Sequence, residues 1–108
     1  MTGTQESFEL AHEADVGAIR RRLTTLATDA GLDETATGQA ALIATELGTN
    51  VVKHAGVGGA LIGRVTVGER PGVAIVVWDR GRGMNLEACL TDGMSTTGTA
   101  GGGLGAVA

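Results

Sequence analysis

The chain has 108 residues, with 8 basic and 12 acidic side chains and a formal net charge of −4. That length fills one domain with a small two-layer core and leaves no room for a second. An acidic balance with only Phe8 and Trp78 as aromatics excludes general nucleic-acid binding, which needs a basic surface and stacking platforms. One cysteine, Cys89, and two histidines far apart exclude an internal disulfide and a zinc cluster, so any metal would be a hard cation. No apolar run approaches a membrane span, and MTGTQESFEL lacks the basic start and apolar stretch of a secretory signal. The expectation is a soluble, cytoplasmic protein that binds neither nucleic acid nor membrane.

Ser7 to Leu10 alternate weakly and predict a short first strand, followed by Asp15 as a helix cap. Val16, Ile19, Leu23, Leu26 and Ala30 recur at steps of three and four, which predicts an amphipathic helix closed by Gly31. Asp33 can cap a second helix running to about Ala55, with Ala40, Ile43, Ala44, Leu47 and Val51 as its buried stripe. A turn over Gly56 to Gly59 leads to a half-buried strand over Leu61 to Val67. Glu69-Arg70-Pro71-Gly72 reads as a turn, and the β-branched run Val73 to Trp78 as a central strand ending at Asp79. From Arg80 onward small residues, Thr and Ser dominate without clear period, which predicts a long mobile loop, then the first turn of another helix from Leu104. Six of the 19 glycines fall in the last sixteen residues, a local excess that points to backbone approaching a ligand.

Three places could carry chemistry. On the second helix, Glu46, Asn50 and His54 descend one face at steps of four, with Lys53 beside them. They read either as a solvated face with a cation near the helix end, or as a base and a metal-ligand oxygen held one turn apart. The second place is Asp79-Arg80-Gly81-Arg82-Gly83 at the end of the central strand. It is either a plain turn or a carboxylate that accepts from an exocyclic amine such as that of adenine, with Gly81 and Gly83 admitting a flat ring. The pair Arg80 and Arg82 could also suggest an RNA-binding element, which the acidic chain argues against. The third is Gly101-Gly102-Gly103-Leu104-Gly105, whose amides could cradle phosphates at a helix start. A P-loop is excluded, since Lys53 is the sole lysine and no Gly-Lys-Ser/Thr occurs. A dinucleotide fingerprint is excluded too, because these glycines lie about twenty residues beyond the strand instead of in the turn that follows it.

In order, Glu46-x-x-x-Asn50-x-x-Lys53-His54-Ala55, Asp79-x-Gly81-x-Gly83 and Gly101-Gly102-Gly103-Leu104-Gly105 resemble the motifs of the Bergerat-type (GHKL, HATPase) ATP-binding domains. Within that superfamily, the loop Asp92 to Thr97 and the opening Phe8 to Leu26 segment are similar to the anti-sigma factor serine/threonine kinases, the RsbT-type switch kinases most of all. The resemblance implies that residues 1–108 are a single histidine-kinase-like ATPase domain with an α+β fold, a two-layer sandwich of helices on one face of a mixed β-sheet. It also implies that the C-terminal elements of the full domain are missing, which would leave an uncovered, Val/Ile-rich sheet and lower stability.

The same resemblance implies the ligands and roles. ATP and Mg2+ would bind between the second helix and a lid. Glu46 would be the general base, Asn50 the magnesium ligand and Asp79 the reader of adenine, while Lys53 would lie near the phosphates. Gly81 and Gly83 would line the adenine pocket, and Thr96, Thr97 and Gly101, Gly102, Gly103, Leu104 and Gly105 would form the lid and the phosphate-facing helix start. The activity implied is serine/threonine phosphorylation of a STAS-domain antagonist protein in a partner-switching system, with a sigma factor or PP2C-type phosphatase as further partner. The alternative is a nucleotide-gated binding module that regulates such a partner without catalysis. Glu46 favours the enzyme, because a pure binder has no use for a base beside the metal ligand.

Overall fold

The computed structural model describes residues 5–54, 56–80, 85–91, 94–100 and 106–107. In chain order these form β1 (Gln5–Leu10), α1 (Glu13–Asp29), α2 (Glu34–His54), β2 (Gly58–Val67), β3 (Arg70–Asp79), β4 (Asn85–Thr91), β5 (Met94–Ala100) and β6 (Ala106–Val107). The two helices pack on one face of a sheet of order β1-β2-β3-β4-β5-β6, the two-layer α+β architecture that the sequence implies.

Each helix starts and stops for a local reason. In α1 the N-cap is His12, not Asp15; the Asp15 carboxylate lies one turn inside and accepts the amides of Ala11 and His12, both at 2.9 Å. Those two bonds hold the Asp15 carboxyl below the usual carboxylate range. Gly31 ends the helix at φ +89°, a conformation costly for other residues, and donates to the Thr28 carbonyl at 3.0 Å. Asp33 caps α2 as expected, its Oδ1 accepting from the Ala36 amide at 2.8 Å. A bidentate pair ties β1 to α1, with Arg22 Nε 2.8 and 2.7 Å from the two Glu6 oxygens.

The core lies between the layers. Ile19, Leu23 and Leu26 of α1, with Ala36, Ala40, Ala44 and Val51 of α2, face Leu10, Ala60, Ile62, Val73, Ile75, Val77, Ala88 and Leu90 of the sheet. Each large aliphatic side chain buried in this way contributes about 1.5–3 kcal/mol. The alternate residues of β2 to β4, among them Leu61, Val65, Ala74, Val76, Trp78 and Cys89, lie on the opposite face and are only half-buried.

Five further sequence-based expectations change. The sheet is antiparallel in all five described strand pairs, not mixed. The chain reverses direction at each step from β1 through α1 and α2 to β2, and short links join the later strands; parallel neighbours would need a crossover that none of these segments supplies. The turn between β2 and β3 is Gly68-Glu69, with Gly68 at φ +63°, so Arg70, Pro71 and Gly72 are already strand. Pro71 is tolerated because the β4 ladder begins only at Gly72, opposite Thr91. Gly58 and Gly59 likewise belong to β2 and not to the preceding turn.

The predicted long loop contains β4 and β5, paired from Asn85 opposite Ala100 to Thr91 opposite Met94. Leu86, Ala88 and Leu90 alternate with Glu87, Cys89 and Thr91 there, a period of two in which small residues dilute the signal. Finally, Ala106 and Val107 pair with Gly98 and Thr97 as strand β6, where a helix was expected. Leu104 and Gly105, from which that helix would have started, lie outside the described residues.

Candidate functional site on helix α2

Helix α2 divides its residues by face. Ala36, Ala40, Ala44, Gly48 and Val51 are buried, at steps of four and three, while Glu46, Asn50, Lys53 and His54 are exposed. Small residues on the inner stripe let the helix lie close to the sheet, and the outer face is left for polar groups. Glu46 and Asn50 are separated by one turn, a rise of roughly 6 Å. Lys53 and His54 fall in the last turn, where the helix dipole favours cations.

These four side chains line one open concavity of roughly 360 Å3, together with Thr45 and Thr49. The two threonines were missed in the sequence; their only signal is that each directly precedes Glu46 or Asn50, so the i, i+4 step of the pair repeats theirs. Thr45 is tied down, its hydroxyl donating to the Ala41 carbonyl at 2.9 Å. A second hollow between α1 and α2, lined by Glu13, Val16 and Arg20 among others, shares Thr45, Thr49 and Lys53 with the first, so Lys53 stands on the ridge between them. The arrangement joins a carboxylate, an amide oxygen, a primary ammonium and an imidazole at one mouth. A carboxylate, a hard amide oxygen and an ammonium therefore follow one another over about two helix turns, from Glu46 through Asn50 to Lys53.

Asp79 is brought near this helix but does not line the concavity. It closes β3 opposite Gly58, on the sheet face that carries Val77 and Ile75 toward the helices. A Cβ built on Gly58 would lie 2.8 Å from Val51 Cγ1, so the end of α2 rests directly on the strand beside Asp79. Just past Asp79, the Arg80 amide donates to the Val57 carbonyl at 3.3 Å. Thr96 and Thr97 lie in β5, opposite Cys89 and Ala88, so their backbone is part of the ladder and not a free lid. Gly81 and Gly83, and the run Gly101, Gly102, Gly103, Leu104 and Gly105, lie outside the described residues.

Among the described residues no group of three or more His, Cys, Asp and Glu is placed to hold a metal. The α2 concavity does offer one hard oxygen donor, the Asn50 carbonyl, of the kind compatible with Mg2+, an ion that keeps several waters and takes further oxygens from substrate phosphates. Among the described residues, no helix is long and apolar enough to cross a membrane.

No curated protein and no solved structure gives a significant match to the chain. The family model for the histidine kinase-like ATPase domain matches residues 10–108, a span that takes in α1, α2 with its polar face, and the whole sheet from β2 onward. The chain therefore belongs to the family of histidine kinase-like ATPase domains.

Proposed function

We propose that this domain binds Mg-ATP over the outer face of α2 and transfers its γ-phosphate to a serine or threonine of a protein, as the anti-sigma factor kinases do. The observation that supports the reading most is the pairing of Glu46 with Asn50, one turn apart and exposed at one mouth, on a helix whose opposite stripe is wholly structural.

Each residue has a role that its chemistry suits. The Asn50 amide oxygen holds Mg2+, which when bound neutralises phosphate charge and aligns the reacting oxygens. Lys53, at the rim, pairs with phosphate oxygens. Glu46 accepts the proton of the substrate hydroxyl as its oxygen bonds to the γ-phosphorus and ADP leaves. Asp79 accepts from the adenine amine, which discriminates against guanine, because guanine carries a carbonyl at that position. The substrate would be a STAS-domain antagonist protein, and a sigma factor or PP2C-type phosphatase the partner captured or released.

The experiment is transfer from γ-labelled ATP to a STAS-domain protein, read by phosphoserine and phosphothreonine analysis. Label on a hydroxyl residue, dependent on Mg2+, supports the kinase. Tight ATP binding that gates partner capture, with no label, contradicts it and leaves a nucleotide-gated binding module.

A further inference from the structure

The end of α2 and the end of β3 meet across the start of β2, where two adjacent glycines stand between them. Gly58 and Gly59 open β2 opposite Asp79 and Trp78 respectively. Because neighbouring residues alternate faces, Gly58 looks toward the helices and Gly59 toward the open side of the sheet. A Cβ on Gly58 would overlap the Trp78 carbonyl oxygen and lie 2.8 Å from Val51 Cγ1. A Cβ on Gly59 would overlap Cζ2 of the Trp78 indole and lie 2.7 Å from its Cε2. The bare backbone thus serves two purposes at one rung. On one side it lets Val51, the neighbour of Asn50, settle against Gly58, the β2 residue opposite Asp79. On the other it lets the indole of the residue before Asp79 lie flat across β2.

We infer that Gly58 and Gly59 are positioning residues for nucleotide recognition: together they set the distance and orientation of Asp79 relative to the Asn50 turn of α2. This rests on the reading of Asn50 as metal ligand and Asp79 as adenine acceptor. The two glycines touch neither ligand. They act through Val51 and Trp78, one residue away from each functional side chain.

The obstacles differ in kind, which makes the pair separable. At Gly58 the nearest obstacle is backbone, which cannot give way, so Gly58→Ala must twist the end of β3 and push α2 away from β2. At Gly59 the obstacle is a ring that can swing outward, so Gly59→Ala should displace the indole and disturb Asp79 less. Gly38, on α2 and with nothing within 4 Å of a built Cβ, is the control.

The test measures Mg-ADP and Mg-GDP affinity for the wild-type chain and the Gly58→Ala, Gly59→Ala and Gly38→Ala variants. Tryptophan emission and amide exchange at Arg80 are followed without nucleotide. Gly58→Ala should weaken ADP at least tenfold, narrow the preference for ADP over GDP, and speed exchange at Arg80, whose amide is held by Val57. Gly59→Ala should red-shift the emission of Trp78, the single tryptophan, and weaken ADP about threefold. Gly38→Ala should change none of these.

Loss of stability alone would not alter the ratio of ADP to GDP affinity in protein that remains folded. Where Gly58→Ala does not fold, Val51→Ala withdraws the same contact from the helix side and should narrow the ratio in the same direction. A folded Gly58→Ala protein, or failing that Val51→Ala, with wild-type affinity and an unchanged ADP-to-GDP ratio overturns the inference and leaves nucleotide binding intact. Wild-type protein that binds neither nucleotide overturns the nucleotide reading itself, and the inference with it.

Discussion

The two faces of α2 obey opposite rules. Its inner stripe, Ala36, Ala40, Ala44, Gly48 and Val51, is made of small groups, each buried, and its worth lies in volume. Its outer face, Glu46, Asn50, Lys53 and His54, is exposed, and its worth lies in charge and donor type. Identical helical geometry therefore carries stability on one side and, on the proposed reading, chemistry on the other, and substitutions on the two sides should give separable phenotypes.

The largest separation is expected on the outer face. Glu46→Gln should lower phosphate transfer by roughly 10²–10⁴, the usual contribution of a positioned base. Its free energy of unfolding in urea should stay within about 0.5 kcal/mol of wild type, as for an exposed substitution without a structural partner. Transfer and unfolding measured on the same preparation check both halves; a matching fall in stability would mean that the outer face is structural after all. On the inner face the order reverses. Ala44→Leu forces extra methylenes between α2 and the sheet and should cost about 1–3 kcal/mol in urea unfolding. Under native conditions its surviving folded fraction should still carry an intact concavity.

The smallest effect concerns neither face but the ties that hold α1, against which α2 packs. The Asp15 carboxyl is held down by the amides of Ala11 and His12, and that of Glu6 chiefly by its hydrogen bond with Arg22. A carboxyl with a depressed folded-state value stabilises the fold fully above its unfolded value and loses that contribution as pH falls through the folded one. Urea midpoints should therefore hold steady from neutral pH to about pH 5 and decline below the ordinary carboxylate range near 4. Asp15→Asn with Glu6→Gln should flatten that decline, and an equally steep acid limb in the double variant would remove these two groups as its cause.

How far these features could be read in the sequence follows the range of the forces involved. Helices α1 and α2 were legible because their periodicity is local, and the same period turns the spacing of Glu46 and Asn50 into a shared face. Strand β3 was legible from its run of β-branched residues. The β4–β5 hairpin was not, since its alternation rests on Leu86, Ala88 and Leu90 of β4 alone, beside a β5 of small residues and threonine, and its existence depends on pairing with β3. The position of Asp79 at a strand end was legible, but its seating beneath the end of α2 was not. That seating depends on Gly58 meeting Val51 and Trp78, a contact between three separate elements that no spacing encodes.

The central claim, that Asn50 and Asp79 recognise Mg-adenine nucleotide, is tested most directly by titration calorimetry of ATP and GTP into the wild-type and Asp79→Asn proteins, with Mg2+ and with EDTA. The account predicts ATP binding that weakens sharply in EDTA, poor binding of GTP, and an Asp79→Asn protein that has lost most of the preference. A mismatched acceptor facing the half-buried Asp79 carboxylate costs about 1–3 kcal/mol once the ligand covers it, a factor of roughly 5 to 150 in affinity. Equal affinity for ATP and GTP in the wild-type protein, unaffected by EDTA, would contradict it.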